Sequence, residues 1–445
     1  MNISEKVKNV CFENTRELPD CVMSYIFSKL SMKDLVKTST LSKTWIHEWG
    51  SRKNLNFDIH NMFGGSNRFY FDLEEEDSPH FRVVIRPEFV EKVNQFMLNY
   101  EGANIDSLKL NFPLADDYGC VIDRLISQGI SKGAQRIELL LSYKSADNYS
   151  IEPYRFSLSE NDCLKYLHLQ NCLISPPMNF SRLKNLSTLV LHLVVIEKHM
   201  LLGLFSNAIN LVDLTLNNCE FDSDLNITSP TLCHLNIVDH SRHLRRAPPP
   251  RHWKIDIFAL KLLCFEYSSR DGTFTCNSIK APKLSKFYWN DLPMPPDTLL
   301  GIQKLNLMPP DVFCGIENLT KIVLVQVLVP KYFLPSLFSK CHQLEELTLW
   351  RCTFESSIHI INPTLRRLNI VDFYRVSWNL DIDALNLTSL DFRGQMRICS
   401  IKAPQLLNLF WNVTRNEEIP HAFDIIASLH QLQNLSINLS HSQVS

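Results

Sequence analysis

The sequence predicts an α/β protein: a solenoid built on a curved parallel sheet, preceded by a small all-α segment of three helices. Two patterns carry this prediction. A leucine motif recurs along most of the 445 residues, whereas a helical pattern is confined to residues 13–57. A tandem duplication inside the repeated part supports the same interpretation.

The repeated motif is L-x-x-L-x-L with conservative replacements. Its clearest copies start at Leu164, Leu186, Leu211, Leu232, Leu319, Leu344, Leu365, Leu387 and Leu432. Weaker copies start at Ile105, Ala134, Leu260, Leu284, Ile302 and Leu406. Starts between 105 and 432 give a mean spacing of about 23 residues, within the roughly 20–29 of a leucine-rich repeat. Its fourth and sixth residues point to one face of a strand, and such units gain stability by stacking.

The duplication is a longer match laid over the repeats. The segment that begins at Leu186 aligns with the one that begins at Leu319, an offset of 319 − 186 = 133 residues. After gaps the match resumes with SIKAP at 278 and 400, and with FYWN at 287 against LFWN at 409. A block of several repeats has therefore been copied in tandem.

Composition excludes several functional classes. Lys+Arg 45 against Asp+Glu 47 leaves no overall basic excess for nucleic acid. We find none of the motifs of phosphate-binding loops, nucleophile elbows or helical zinc proteases, and the 13 cysteines include no C-x-x-C pair. We therefore expect neither catalysis nor a metal or cofactor site.

The N-terminal residues lack the apolar core of a secretory signal, and the longest apolar stretches are too short for a membrane span. We therefore expect a chain in the cytoplasm, the nucleus or both, with no membrane contact. Cys172, Cys219 and Cys352 each lie eight residues after a starting leucine, where the repeat admits Asn or Cys, and this spacing predicts a structural role.

Residues 13–57 follow a helical period. Val22, Ile26 and Leu30 form one stripe of a first helix, with Pro19 at its first turn. Ser31 and Asp34 resemble a capping box that opens a second helix. Ser42 is placed to cap a third, which carries Trp45 and Trp49. Three short helices cannot bury this much apolar surface among themselves. The remainder is covered either by a partner or by the first repeats.

The segment LPDCVMSYIFSKLSMKDLVKTSTLSKTWIHEW, residues 18–49, resembles an F-box of the plant kind. With the repeats that follow, nearly the whole chain resembles the plant F-box/leucine-rich-repeat family. The resemblance implies a substrate-recruiting, non-catalytic subunit of a cullin–RING (SCF-type) ubiquitin ligase. Its F-box would bind a Skp-type adaptor and, through it, a cullin, and its repeats would hold an unknown target protein. The adaptor contacts it implies are Leu18, Pro19, Val22, Ile26, Leu30, Leu35, Val36, Leu41, Ser42 and Trp45.

The target is expected on the concave face, at the third, fifth and seventh positions of the repeats. The candidate contacts are Tyr166, His168, Glu266, Tyr288, Trp350, Arg367, Arg393 and Phe410. Aromatic and arginine side chains dominate binding hot spots, and Trp350 stands where the earlier copy has Asn217. The domain boundaries that follow are a tail at 1–12, the F-box at 13–57, a linker and N-terminal cap region at 58–100, and the solenoid at 101–445.

Two other functions stay open at this point. The chain is a stand-alone repeat scaffold if the F-box-like helices only cap the solenoid. It is a ligand-gated receptor if a small molecule completes the target site.

Overall fold

The computed structural model describes residues 19–38, 45, 52–64, 80–141, 152–157, 163–174, 183–240, 253–270, 274–291, 315–371, 379–394, 396–413 and 419–439. These residues divide into two compact units. The first covers the described residues up to Leu114 and those of Tyr118–Gln135. The second covers Ala115–Asp117, Arg136–Leu141 and the described residues from 152 onwards.

Short helices and a pair of parallel strands make up the first unit. Its helices are α1 (Asp20–Lys29), α2 (Met32–Thr38), α3 (Ile59–Phe63), α4 (Arg86–Leu98) and α5 (Gly119–Ser131). A π-helical turn, Phe81–Ile85, leads into α4. The strands are β1 (Asn54–Asp58) and β2 (Ser107–Asn111), which pair so that Phe57 lies opposite Leu110, both buried.

The starts of α1 and α2 follow from local chemistry. Pro19 immediately precedes α1, and its carbonyl accepts hydrogen bonds from the N–H groups of Val22 (2.8 Å) and Met23 (3.1 Å). Ser31 caps α2: its Oγ accepts from the backbone N–H of Asp34 (3.0 Å) and donates to Asp34 Oδ2 (2.7 Å). The predicted serine cap is thus present, with Asp34 bonded to the Ser31 hydroxyl in place of the reciprocal bond from the Ser31 N–H.

A long parallel sheet dominates the second unit, and strand labels follow chain order. Its strands are β3 (Arg136–Leu140), β5 (Tyr166–Gln170), β7 (Thr188–His192), β9 (Asp213–Asn217), β12 (His234–Asp239), β14 (Cys264–Ser269), β16 (Lys286–Asp291), β17 (Lys321–Val325), β19 (Glu346–Trp350), β22 (Arg367–Val371), β24 (Ser389–Arg393), β26 (Asn408–Val413) and β27 (Asn434–Leu439). Each pairs with the next in this order. The α/β solenoid predicted from the leucine period is confirmed.

Shorter strands form a second layer. They are β4 (Tyr154–Phe156), β6 (Cys172–Ile174), β8 (Val195–Ile196), β10 (Glu220–Phe221), β11 (Leu225–Thr228), β13 (Trp253–Phe258), β15 (Phe274–Lys280), β18 (Leu328–Val329), β20 (Thr353–Phe354), β21 (Ile358–Ile361), β23 (Asn379–Asp383) and β25 (Arg397–Lys402). They pair in parallel as β4–β6, β8–β10, β11–β13–β15, β18–β20 and β21–β23–β25. The helices of this unit are α6 (Lys198–Asn207), α7 (Phe333–Lys340) and α8 (Ile419–Ala427).

The core of the second unit lies between these two layers. Leu214 and Leu216 of the main sheet and Leu225 and Ile227 of the second layer are all buried. A hydrogen bond also joins the layers, because the Tyr267 hydroxyl accepts from the backbone N–H of the buried Phe274 (3.2 Å). Each buried aliphatic side chain contributes roughly 1.5–3 kcal/mol.

A left-handed residue ends several main strands and ties one repeat to the next. The residues with this conformation, at φ between 50° and 56°, are Asn171, Leu193, Asn218, Gln326 and Arg351. In four of the five, the N–H donates to the carbonyl of the last residue of the following main strand, whereas the Asn218 N–H donates to the carbonyl of Val238, one residue before the end of β12. The Leu193 N–H donates to the Asn217 carbonyl at 3.0 Å, and the Gln326 N–H donates to the Trp350 carbonyl at 2.8 Å.

The cysteines that follow this turn are buried, as their position in the repeat predicts. The Sγ–H of Cys219 donates to the Leu191 carbonyl, and that of Cys352 donates to the Leu324 carbonyl, each at 3.4 Å. Burial raises the pKa of Cys172 and of Cys219 to about 12. These thiols therefore act as small packed donors.

The duplication extends to irregular detail. The pairing of β13 with β15 slips by one residue before Asp256, and that of β23 with β25 slips at the equivalent point before Asp381. In both copies a serine after the bulge holds that aspartate: Ser278 Oγ and Ser400 Oγ each donate to a carboxylate oxygen at 2.6 Å. A β-bulge is a specific structural feature that is conserved between related sequences. Its presence at the same place in both copies shows that the two blocks share one local structure.

One repeat register predicted from the sequence is wrong. The copy assigned to Leu260 starts at Leu262, because Leu262 is fully buried whereas Leu260 is 48% exposed. The LKLL sequence allows both registers, and burial of Phe265 and Tyr267 decides between them. Glu266 therefore takes the fifth position of its repeat. The copy assigned to Ile302 lies outside the described residues.

Candidate adaptor and target surfaces

An apolar stripe on α1 is open to solvent. Val22, Tyr25 and Ile26 are 39%, 64% and 38% exposed and lie three and four residues apart, which places them on one helix face. Lys29 Nζ lies 5.3 Å from the Tyr25 ring centroid. Tyr25 was missed by sequence reasoning, although its spacing from Val22 was sufficient to place it on this face.

The opposite side of the helical segment is sealed within the first unit. Phe27, Met32 and Leu35 are at most 3% exposed. Phe27 packs edge-on against Trp45, with ring centroids 6.1 Å apart.

Two hydrogen bonds fasten α2 and its entrance to later parts of the unit. Lys33 Nζ donates to the Phe63 carbonyl (2.7 Å), and Arg52 Nη1 donates to the Leu30 carbonyl (2.8 Å). Part of the apolar surface is thus covered by the chain itself and part is exposed.

The predicted adaptor contacts divide accordingly. Exposed among them are Pro19, Val22, Ile26 and Val36, and half-buried are Leu30 and Trp45. Leu35 is fully buried and serves as core of the first unit, so it offers no exposed surface to the adaptor in this structure. Outside the described residues are Leu18, Leu41 and Ser42. Beside this surface, the hydrogen bond from Ser31 lowers the pKa of Asp34.

The candidate target residues all lie on the face of the main sheet that carries no core side chains. Because the strands pair in register, the third, fifth and seventh repeat positions form three straight rows across this face, which we call the first, middle and third rows. The core side of the same strands holds Trp289 and Trp411, which are 1% and 4% exposed.

The structure separates the candidates into three groups. Tyr166 and His168 lie on β5, where the Arg136 guanidinium stacks 3.5 Å from the Tyr166 ring centroid and burial raises the pKa of Tyr166. Glu266 and Tyr288 are directly paired on β14 and β16. The remaining four lie on the neighbouring strands β19, β22, β24 and β26.

That last group is built around an exposed tryptophan. Trp350 is 48% exposed and lies in the third row between Val325 and Val371, its partners on the flanking strands. Arg393 follows Val371 in the same row. Adjacent strands are about 4.8 Å apart, so Trp350 and Arg393 lie roughly 10 Å apart along the row.

Charged groups around the tryptophan are held by neighbours. Arg393 donates from Nε and Nη2 to the two carboxylate oxygens of Asp391, each at 2.9 Å, and its guanidinium lies 4.5 Å from the Phe410 ring centroid. The hydrogen bonds that Arg393 donates to Asp391 raise the pKa of Arg393. Glu346 pairs with both Lys321 (3.0 Å) and Arg367. These contacts pair three cations, Lys321, Arg367 and Arg393, with two carboxylates, Glu346 and Asp391.

Comparison of the duplicated blocks separates a shared row from divergent ones. The middle row keeps its chemistry: the equivalent pairs are Val190 and Val323, Thr215 and Thr348, Asn236 and Asn369, Glu266 and Asp391, and Tyr288 and Phe410. The third row differs at three of its five equivalent positions, namely His192 against Val325, Asn217 against Trp350 and Ser268 against Arg393. The other two pairs, Val238 with Val371 and Asn290 with Asn412, are identical. In the first block four of these five residues are polar, and Ser268 Oγ is bonded to His240 Nε2 (2.8 Å) and to Asn290 (3.0 Å).

Within the described ranges, no set of three or more His, Cys, Asp or Glu side chains is arranged to hold a metal ion. No helix among the described residues combines the length and apolar character needed to cross a bilayer.

Comparison with known proteins identifies both parts of the chain. The family model of the F-box domain matches residues 16–56. The model described as At1g61320/AtMIF1, LRR domain, matches residues 96–289 and 298–445, well over half of the chain.

Curated relatives carry the same pair of domains in their names, and those cited here come from Arabidopsis thaliana. An F-box/FBD/LRR-repeat protein is 28% identical over 235 residues, which is 50% of this chain and 46% of the relative. An F-box/LRR-repeat protein is 27% identical over 252 residues, covering 54% of this chain and 74% of the relative.

The chain spans about half the length of the first of these relatives, and a second F-box/FBD/LRR-repeat protein is matched over 47% of its length. The helical segment, the parallel repeat sheet and the two family models agree with one another. The chain belongs to the plant F-box/leucine-rich-repeat family.

Proposed function

We propose that this protein recruits substrates to a cullin–RING ubiquitin ligase of the SCF type. The F-box binds a Skp-type adaptor, which links it to the cullin, and the repeat sheet binds the target protein. The chain contributes proximity, because it raises the concentration of the target beside the charged ubiquitin. On this proposal it acts in the cytoplasm, the nucleus or both.

The single observation that supports the adaptor role best is the open stripe on α1. Val22, Tyr25 and Ile26 remain exposed although Phe27, Met32 and Leu35 close the other side of the segment. Exposed apolar side chains at helical spacing are typical of a helix that completes its packing against another protein. If the helices only capped the repeats, we would expect the chain itself to cover these apolar side chains.

The test measures, by isothermal titration calorimetry, the dissociation constant of the full chain for a recombinant Skp-type adaptor. We expect Ile26→Asp to weaken binding at least tenfold, because a charge would be buried in the interface. The matched control is Leu202→Asp on α6, which changes a side chain that is 56% exposed in the second unit and should leave binding intact. Failure of the wild-type chain to bind the adaptor contradicts the proposal.

The target arm is tested separately. Trp350→Asn installs the residue of the first block at the equivalent position of the second. Affinity purification under proteasome inhibition should recover the adaptor equally with the wild type and this variant, but lose the ubiquitinated target with the variant. If the wild type and Trp350→Asn recover the same ubiquitinated proteins equally, the third row does not carry target recognition.

A further inference from the structure

The last main strand of the described chain, β27, forms an open edge of the sheet. It pairs with β26 alone among the described strands, whereas each main strand from β5 to β26 lies between two neighbours. Repeat positions that are buried elsewhere are open on β27. Leu435 is 46% exposed, whereas Leu214 and Leu347 hold the same position on interior strands and are at most 1% exposed. Ile437, the next core position of β27, is only half-buried.

The backbone of β27 presents hydrogen-bonding groups at this edge. The Asn434 N–H donates to the Leu407 carbonyl (2.9 Å), so Asn434 directs its backbone groups toward β26. Successive residues of a strand direct these groups to opposite sides, so those of Leu435 and Ile437 point to the open edge. An edge of this kind is a template on which another strand can pair.

The sequence of β27 has none of the features that prevent edge pairing. Proteins protect such edges with charged side chains, proline or bulges. From Gln431 to Ser445 the sequence contains no Asp, Glu, Lys, Arg or Pro. The pairing of β27 with β26 also runs without a register shift from Asn434 to Leu439. The edge is therefore uncharged and regular along its length.

We propose that β27 pairs antiparallel with β27 of a second copy of this chain, which gives a dimer with twofold symmetry. This inference does not depend on the proposed function. The argument for a second copy is that NLSIN, residues 434–438, alternates polar and apolar residues identically in both directions. With the twofold axis at Ser436, Leu435 of each copy lies opposite Ile437 of the other. Asn434 lies opposite Asn438 in the same way.

This register satisfies the backbone and the side chains together. Opposite residues of an antiparallel pair alternate between those that exchange two hydrogen bonds and those that exchange none. Leu435 and Ile437 carry the outward groups and form the bonded pairs, while Ser436 forms the non-bonded pair on the axis. The core sides of the two sheets then lie on one side, so the apolar side chains cover each other. A slip of one residue would instead set Leu435 against Ser436, on the wrong face.

The test is the molar mass of the full chain, measured by sedimentation velocity at increasing concentrations. We expect a shift from 51.6 kDa toward twice that mass. Ser436→Lys and Ser436→Asp should each weaken dimerisation about tenfold or more, because like charges then meet on the axis. An equimolar mixture of these two variants should restore the dimer. Thr215→Lys is the control, since Thr215 holds the same repeat position on the interior strand β9.

Both Ser436 variants should fold like the wild type. The Ser436 side chain is exposed, and its backbone groups point toward β26 rather than the open edge. Circular dichroism spectra that match the wild type check this expectation.

A cysteine scan tests the register. The Cα atoms of a non-bonded antiparallel pair are about 4.5 Å apart, within the range that a disulfide spans. Oxidised Ser436→Cys should therefore give more covalent dimer on a non-reducing gel than the wild type, which measures the contribution of the native cysteines. Leu435→Cys should give no more than the wild type, because it faces Ile437 of the other copy. A covalent dimer from Leu435→Cys alone overturns the register.

Two results overturn the dimer itself. One is a wild-type chain that stays monomeric at every concentration. The other is a dimer that neither Ser436→Lys nor Ser436→Asp weakens, which places the interface elsewhere. If the monomeric wild type recovers ubiquitinated proteins that Ser436→Lys does not, the edge binds an extended target segment in place of a second copy.

Discussion

The second unit is expected to tolerate asparagine at position 193 better than alanine, because asparagine relieves backbone strain at this position. Leu193 has φ 55°, in the left-handed region that L-residues other than Asn and Asp seldom adopt. The conformation is required, because it directs the Leu193 N–H to the Asn217 carbonyl at 3.0 Å. Asn171 and Asn218 occupy the equivalent turns of the neighbouring repeats at φ 56° and 50°.

The magnitude follows from two opposing terms. The left-handed conformation costs roughly 1–2 kcal/mol for a residue with an ordinary Cβ, and asparagine relieves about 1 kcal/mol of this. The half-buried leucine side chain contributes less than the roughly 1.5–3 kcal/mol of full burial, and its loss opposes the gain. Leu193→Ala isolates this second term, because alanine keeps the strained backbone and loses the side chain.

The measurement is therefore the difference between two variants. Urea unfolding of Leu193→Asn and Leu193→Ala, compared at a shared m value, should place the asparagine variant about 1 kcal/mol above the alanine variant. Gln326 occupies the equivalent turn of the second block at φ 55°, so Gln326→Asn against Gln326→Ala repeats the test at a second site. Equal stability of the asparagine and alanine variants at both sites refutes the assignment of strain to these turns.

Three further predictions concern burial and titration. Trp289→Ala should cost about 3–5 kcal/mol because the ring is 1% exposed, whereas Trp350→Ala should stay within about 0.5 kcal/mol, as thermal unfolding of both will show. Burial raises the pKa of Cys219 from 9.0 to about 12, which lowers its thiolate fraction at pH 8 about 1000-fold. N-ethylmaleimide applied to the folded protein and detected by mass spectrometry should therefore leave Cys219 unmodified and label the exposed Cys163. Burial lowers the pKa of His192 below its usual 6.5, so its contribution to stability is present above about pH 6.5 and is lost as the pH falls. In His192→Gln, the free energy of unfolding measured with urea should therefore fall less steeply below about pH 6.5 than in the wild type.

Local periodicity determined much of this protein from sequence alone. The two-residue alternation within L-x-x-L-x-L separated core side chains such as Trp289 from surface ones such as Trp350, because successive strand residues point to opposite faces. The cap at Ser31 could be predicted equally well, since Ser31 and Asp34 lie within one helical turn. The ninth position of the repeat explained the buried Cys219 in the same way.

Contacts between distant segments decided the rest. The helical stripe did not show that Leu35 is core while Ile26 is open, because that depends on packing against residues far along the chain, as the bond from Lys33 to the Phe63 carbonyl illustrates. The start at Leu262 depended on which register buries Phe265. Sequence period therefore determined which way side chains alternate, whereas tertiary packing decided which apolar faces are closed and which remain available to a partner.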